Sequence, residues 1–381
     1  MGVKCSLPEA RCESACGRRC KQATGAHLQS GATLGVPRGN RFYAFALASR
    51  LPPFRSSISL VPSGHLMNFA SLNDDLDLLC AALRCSPDVI YEAVKNPDQY
   101  YEVLRIRRRR RSRRLREVVK VRDPLRKLHR TIALMLKMEV SALTDAVHGF
   151  RPGRSIRTNA QEHCGGHSQL VNVDLEDFFG SIGLAEVRAL FRRLGCGPQV
   201  SLALARLCTY GGRLPQGTRC SPMLANLVAA ETDRRFIEAW GAQCTYTRYA
   251  DDLSFSGEWT PSEQEIGSVL RGTCFRIRGG SYRRVVRGGG QYVTGLFVGG
   301  ETPRLPRHAR RLLERFVYYS QRHDVVSAAQ QTTRKANAQD AVAHMRGLVG
   351  WASSVEATPI VERAHALLSL HFGEQARDFP Q

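Results

Sequence analysis

Two adjacent carboxylates, Asp251 and Asp252, interrupt the alternating aromatic and hydroxyl-bearing run TYTRYADDLSFSG at residues 245–257. Strand-like residues lie on both sides, so the pair falls in a hairpin turn, where like charges repel unless a cation sits beside them. An ordinary Asp-rich solvent turn is the bland account of such a pair. A third acid shifts the balance. Asp174 stands among Val171, Val173 and Leu175, in an apolar strand pattern where a solvent-facing residue is hard to justify. A carboxylate at a strand end, beside a carboxylate hairpin, supplies the hard oxygen ligands that Mg²⁺ takes. Two such ions about 3.5–4 Å apart clamp the attacking and leaving oxygens of a phosphoryl transfer.

The rest of the chain suits a polyanionic substrate. Its 381 residues, 43% of them hydrophobic, are enough for two or three packed units. Fifty-five Lys and Arg against thirty-four Asp and Glu give a formal charge of +21, more than solubility requires and in the range of a nucleic-acid binder. No apolar run approaches the roughly 18 residues of a membrane span, and the N-terminus lacks the apolar stretch of a signal peptide. A cytoplasmic protein with no membrane partner is expected. Eight of the twelve cysteines lie scattered in apolar segments and read as core residues. Cys5, Cys12, Cys16 and Cys20 cluster, but without the CxxC spacing of a zinc knuckle.

Residues 1–66 carry nine basic and two acidic residues without sustained periodicity, which predicts a basic, disordered leader. Helical patterning begins just after Met67, and a natural start at Met67 would account for that change. Two short helices broken around Ser86-Pro87 precede RIRRRRRSRRLR at 105–116, with nine arginines in twelve positions. That run reads as a phosphate-binding arm or, more blandly, a solvated basic loop. An amphipathic helix follows Asp123-Pro124. Gly149, Pro152 and Gly153 then predict a tight hairpin presenting Arg151, Arg154 and Arg157 near its tip. Residues 170–182 read as a buried strand ending in acids. Helices are predicted at about 183–194, 198–209 and 221–240, and another beginning at Thr260-Pro261-Ser262-Glu263. A strand-rich region to residue 300 precedes three or four further helices. The first of these bears Leu312, Leu313, Phe316 and Tyr319 at helical spacing, which is most simply a core stripe.

Taken together, these segments resemble a reverse transcriptase, and within that family the bacterial retron type. YADD at 249–252, VDLEDFF at 173–179 and LPQGTRCSP at 214–222 match three motifs of the family, with Asp251 following Asp174 by 77 positions. NAQEH at 159–163 and VTG at 293–295 match two retron signatures. The match runs from about Met67 to Trp351.

The resemblance implies an α+β right-hand polymerase fold: fingers and palm of antiparallel sheet with helices, and a helical thumb. Its divisions would be N-terminal helices and fingers at 67–169, palm with interleaved fingers elements at 170–300, and thumb at 301–381. It implies an RNA-directed DNA polymerase with two Mg²⁺ ions on Asp174, Asp251 and Asp252. Phe179 would pack under the deoxyribose and exclude a 2′-hydroxyl; as a plain alternative it is a core Phe, a role that suits Phe178 better. Gln216 and Gly217 would line the nucleotide pocket. Arg151 and Arg154 would clamp the triphosphate, since a guanidinium binds phosphate oxygens in pairs.

Asn159 and His163 would grip the structured RNA, or serve as capping and core-satisfying polar residues. Val293, Thr294 and Gly295 would lie near template or primer, and Arg304, Arg307, Arg310 and Arg311 would track a duplex. The implied partners are a structured noncoding RNA serving as template and primer, dNTPs, the RNA–DNA product and a retron effector protein; the implied product is msDNA in anti-phage defence. One departure stands out. Family members usually carry a lysine shortly before the VTG strand, and RIRGGSYRRVVRGGGQ at 276–291 has none, leaving Arg283 or Arg284 to substitute. Other readings keep the fold, as an intron, diversity-generating or defence-associated enzyme, or keep only RNA binding, as a scaffold.

Overall fold

The computed structural model describes residues 68–107 and 115–372. The leader at 1–66 and most of the arginine run lie outside the described residues. Asp75 caps the first helix, α1 (Leu76–Leu83), accepting hydrogen bonds from the amides of Asp77 and Leu78. Pro87 opens α2 (Pro87–Lys95), where its missing N–H costs nothing. A hairpin follows, β1 (Tyr101–Arg107) against β2 (Leu115–Val121), with Tyr101 opposite Val121 and Arg107 opposite Leu115. The arginine run therefore supplies the inner ends of two strands, and the reading of all of it as a loop is corrected.

Next come α3 (Leu125–Ser141), with Leu125, Leu128, Ile132 and Leu136 on its buried face, and the one-and-a-half-turn α4 (Ile156–Gln161), closed by a capping box between Ser155 and Thr158. Between them, residues 147–155 form turns and not the expected hairpin. The glycine at 149 serves a close approach instead: a methyl group there would strike the backbone of Ala250 and lie 3.1 Å from the Tyr249 carbonyl carbon.

After β3 (Gln169–Asp174) come α5 (Leu184–Arg193), α6 (Pro198–Cys208) and the long α7 (Ser221–Trp240). The hairpin β4 (Thr245–Tyr249) and β5 (Asp252–Gly257) follows, then α8 (Glu263–Leu270) and β6 (Arg283–Val286). The sheet order is β4-β5-β3-β6, antiparallel throughout. Strand alternation divides its faces. Val171 and Val173 face the same way as Leu253, Phe255 and Tyr246, and α7 covers them, with the Phe236 ring 5.1 Å from Tyr246 and 5.5 Å from Phe255. Each such fully buried side chain contributes roughly 1.5–3 kcal/mol. Asn172, Asp174, Asp252, Ser254, Ser256 and Thr247 occupy the other, polar face.

The chain ends in the small hairpin β7 (Tyr292–Val293) and β8 (Leu296–Phe297), then α9 (Arg307–Ser320), α10 (Val325–Thr333), α11 (Ala338–Val355) and α12 (Pro359–Phe372). These helices build a second core, which includes Val293, Leu296 and Val298 and also Leu170 of β3. The architecture is α+β with antiparallel sheets, as expected. Among the described residues no helix is long and apolar enough to cross a membrane.

Candidate active site

Register brings the acids together. β3 and β5 pair so that Asp174 stands opposite Asp252, and the two-residue turn Ala250-Asp251 sets the third carboxylate beside them. Ala250 takes φ 58°, the positive value that the first residue of a tight hairpin turn of this kind adopts. In a residue other than glycine that conformation costs about 1–3 kcal/mol and has to be held from outside.

Arg248 holds it. This guanidinium is 1% exposed and donates from Nε and Nη2 to the two oxygens of Asp233 at 2.8 and 2.7 Å. Its Nη1 donates to Asn226 Oδ1 at 2.9 Å and to the Ala250 carbonyl at 3.3 Å. Tyr246 adds its hydroxyl to Asp233 at 2.7 Å, and Asn226 reaches across to the Gly149 carbonyl at 2.7 Å. The pair is stabilised by these added hydrogen bonds, without which two buried charges gain little. Sequence reasoning missed Arg248, although a charged residue two positions from Tyr246 in an inward-facing register carried the signal.

Arg278 is the other residue that sequence reasoning missed. The backbone at Ile277 bridges to Leu175, and the Arg278 amide donates to the Asp174 carbonyl at 2.8 Å. Its guanidinium then forms an ion pair with Asp174 through Nη1 and donates through Nη2 to Asp251 Oδ2 and the Leu175 carbonyl, each at 3.2 Å. Even so, Asp252 is pushed up to about 8, by burial first, then by the hydrogen bond it shares with Asp174 and by the charge of Asp251; Arg278 pulls the other way. A cluster that already holds one cation and still keeps a carboxyl protonated fits a divalent ion well. Arg283 and Arg284 lie within β6, paired with Asn172 and Val171, and Arg284 donates to the Thr260 carbonyl at 3.0 Å.

A cavity of 680 Å³ opens beside the carboxylates, lined among others by Asp251, Arg278, Phe179, Gln216, Arg213 and Tyr210. Phe179 is 9% exposed, edge-on to Phe178 at 5.5 Å and tilted against Phe150 at 5.9 Å, while Phe178 stacks on Phe275. Gly217 lies where β2 crosses the loop. The Val119 amide donates to the Gln216 carbonyl at 2.7 Å, and a methyl group at 217 would strike the Val119 carbonyl and lie 2.7 Å from Val118 Cγ1. With φ 107° as well, only glycine fits.

Arg151 and Arg154 are not brought to this cavity. Arg151 is folded back on the end of α3 and the turn after it, donating to the carbonyls of Thr144 at 2.5 Å and Ser141 at 3.1 Å, and Arg154 pairs with Asp145. Helix-end carbonyls and a nearby carboxylate satisfy both cations locally. Arg213 and Arg278 are the arginines that line the cavity.

Asn159 and His163 are fully buried, which removes them from any surface that RNA could touch. His163 sits under the polar face of the sheet, its ring nitrogens 2.7 Å from Ser256 Oγ and Thr247 Oγ1, and burial holds the imidazole down to about 3. Neither amide atom of Asn159 has a partner among the described residues. Val293 is core, and Thr294 donates its hydroxyl to the Ile156 carbonyl at 3.0 Å. Gly295 is exposed at the β7–β8 turn and lines a groove of 1270 Å³ with Tyr292, Arg307, Arg311, Arg315 and Tyr318. The three arginines recur every four residues along α9, and Arg322 lies 3.9 Å over the Tyr318 ring.

With this geometry in view, comparison with known proteins shows what the chain is similar to. Residues 109–270 match the family "Reverse transcriptase (RNA-dependent DNA polymerase)". The chain is similar to the retron Mx65 reverse transcriptase of Myxococcus xanthus, at 35% identity over 54% of this chain and 53% of that protein. It is similar also to the retron Ec86 reverse transcriptase of Escherichia coli, at 31% over 49% and 58%, and to the retron Mx162 reverse transcriptase of Myxococcus xanthus, at 34% over 45% and 43%. The aligned part spans about half the length of these curated relatives. The likeness is to bacterial retron-type reverse transcriptases, in agreement with the sequence motifs.

Proposed function

We propose that the protein is an RNA-directed DNA polymerase of retron type, which copies a structured noncoding RNA into single-stranded DNA. The observation that carries this reading is the meeting of Asp174, Asp251 and Asp252 at the mouth of a cavity lined by Phe179, Gln216 and Arg278.

Two Mg²⁺ ions held by the three carboxylates would supply charge to the attacking hydroxyl and the departing pyrophosphate. The chain's own residues select and position. Phe179 presents a flat apolar wall where the sugar of a dNTP would sit, and a 2′-hydroxyl against it would lose its water without gaining a partner. Gln216 lines the cavity, and Gly217 beside it lets β2 pack against the loop and hold it in place. Arg278 and Arg213 carry the positive charge that faces the cavity, suited to triphosphate oxygens. The primer hydroxyl attacks the α-phosphorus and gives up its proton to solvent, a P–O bond forms, and the bond to pyrophosphate breaks. Positioning and charge do the work, with no covalent intermediate on the protein. Fingers and palm correspond in this reading to residues 67–300. The thumb corresponds to 301–381, where Arg307, Arg311, Arg315, Tyr292 and Tyr318 combine phosphate-binding charge with stacking surfaces for the template–primer.

Primer extension on an RNA template tests the assignment. The double variant Asp251→Ala plus Asp252→Ala is expected to lose all incorporation, and unchanged incorporation refutes it. Sequencing the copurifying nucleic acid tests the retron part. A branched or RNA-linked single-stranded DNA is expected, as msDNA; bulk cellular RNA alone would refute this part.

A further inference from the structure

Behind the nucleotide cavity, three potential ligands converge in the core from three elements. His129 comes from α3, Cys208 ends α6, and Cys220 is the N-cap residue of α7; one imidazole nitrogen and both sulfurs all lie within 4.8 Å of one another. His129 is 1% exposed and both cysteines 0%. The two sulfurs are 3.8 Å apart, far beyond the roughly 2.05 Å of a disulfide. Tetrahedral zinc with Zn–S bonds of about 2.3 Å places its sulfurs roughly 3.75 Å apart, which is the spacing found.

The imidazole is prepared for a metal. Its Nε2 lies 2.7 Å from the Leu207 carbonyl, which can only accept, so Nε2 carries the proton. That bond leaves Nδ1 as a bare lone pair, and Nδ1 has no partner among the described residues. A backbone carbonyl fixing one ring nitrogen so that the other can ligate is the usual arrangement around metal-bound histidine. The Thr218 hydroxyl borders the cluster, 3.5 Å from Cys220 Sγ, while the Tyr101 hydroxyl stays on the Nε2 side of the ring, 3.5 Å from it, and donates to the Leu207 carbonyl at 3.2 Å.

We propose that His129, Cys208 and Cys220 bind one zinc ion, a structural site distinct from the carboxylate centre. Binding releases the two thiol protons to solvent, leaving Zn²⁺, two thiolates and a neutral imidazole. The net charge is then zero, which a fully buried site requires. Two features favour thiolate at Cys220: its place at the positive end of a 20-residue helix, and the adjacent Thr218 hydroxyl. The ion ties the start of α7 and the loop that carries Gln216 and Gly217 to the helices behind it.

The test measures metal by mass spectrometry on the full chain with Cys5, Cys12, Cys16 and Cys20 changed to Ser and its affinity tag removed, so that no other cysteine cluster contributes. About one zinc per chain is expected. Cys208→Ser, Cys220→Ser and His129→Ala should each lose it, while Cys196→Ser, another buried thiol, should retain it. Cobalt substitution of the chain with these three ligands intact provides a readout independent of how the variants fold: a thiolate-to-cobalt charge-transfer band is expected. Absence of both zinc and the cobalt band, zinc retained by folded Cys220→Ser protein, or a Cys208–Cys220 disulfide in the intact mass would each overturn the proposal.

Discussion

Arg278 lays its guanidinium against Asp251, with Nη2 3.2 Å from Oδ2, while its other terminal nitrogen pairs with Asp174. A side chain of this protein therefore stands where a bound cation would compete. Arg278→Ala should tighten divalent-cation binding to the nucleotide-free protein by about 1 kcal/mol, a factor of roughly five, the scale of a partly exposed ion pair. The same variant should incorporate nucleotide more slowly, because the cavity loses a charge facing the triphosphate. A titration with Mn²⁺ followed by electron paramagnetic resonance reads the first effect. Weaker binding would show that Arg278 supports the metal site and does not compete for it.

Asp252 gives the cation a proton to displace. Its carboxyl, raised to about 8, is mostly protonated at pH 7 in the metal-free fold, whereas the unfolded chain would ionise it near the ordinary value of 3.8. The sign follows. Its contribution to stability is fully present below pH 3.8 and is lost as pH rises towards 8, and cation binding, which needs the carboxylate, strengthens over the upper part of that window. Calorimetry at pH 7 in buffers of different ionisation enthalpy should show about one proton released per chain on Mg²⁺ binding, falling towards zero above about pH 9. Heats that do not depend on buffer would count against a protonated Asp252.

Arg248→Met should leave Asp233 buried without its cation and cost about 3–5 kcal/mol. Arg248→Met combined with Asp233→Leu should recover part of that loss in chemical denaturation. Incorporation should not recover with it, since the Ala250 carbonyl still lacks its donor.

Gly217→Ala should act on nucleotide use more than on folding. The added methyl group meets backbone of β2 and not a flexible side-chain end, so the loop must shift. The apparent KM for dNTP is expected to rise by about tenfold, a loss of roughly 1.4 kcal/mol. An unchanged KM would show that the loop can move without disturbing Gln216.

His163 imposes an acid limit. Its imidazole is held near 3 in the fold against an ordinary 6.5, so stability is fully present above 6.5 and is lost as pH falls from there towards 3. The slope approaches about 1.4 kcal/mol per pH unit inside that window. Denaturant midpoints for His163→Gln should lose this component of the slope. A slope identical to that of the unmodified protein would remove His163 as its source.

Local chemistry made much of this fold legible in sequence. Pro87, Pro198 and the Ser262 cap mark helix starts where the sequence places them, and the alternation around Asp174 and Asp251 identifies a strand ending in an acid and a hairpin with an acid at its turn. What escaped depends on distance along the chain. Gly149 resembles a turn glycine until Ala250, far away in sequence, is seen to occupy the space a side chain would need. Arg151 looks like a free cation until the carbonyls of Ser141, the last residue of α3, and of Thr144 just beyond it are found around it. His163 resembles a ligand-binding residue, and the hydroxyls of Thr247 and Ser256 that occupy it belong to strands more than eighty residues on. Motif spacing located the carboxylates but carried no information on Arg278, whose approach depends on a backbone bridge to Leu175.

β3 belongs to both cores. Val171 and Val173 are packed into the first, while Leu170, on the opposite face, is packed among the C-terminal helices. The strand that ends in Asp174 is thus clamped between two bodies of side chains and is the seam along which they meet. A substitution that loosens either body at β3 therefore reaches the strand that carries the first carboxylate.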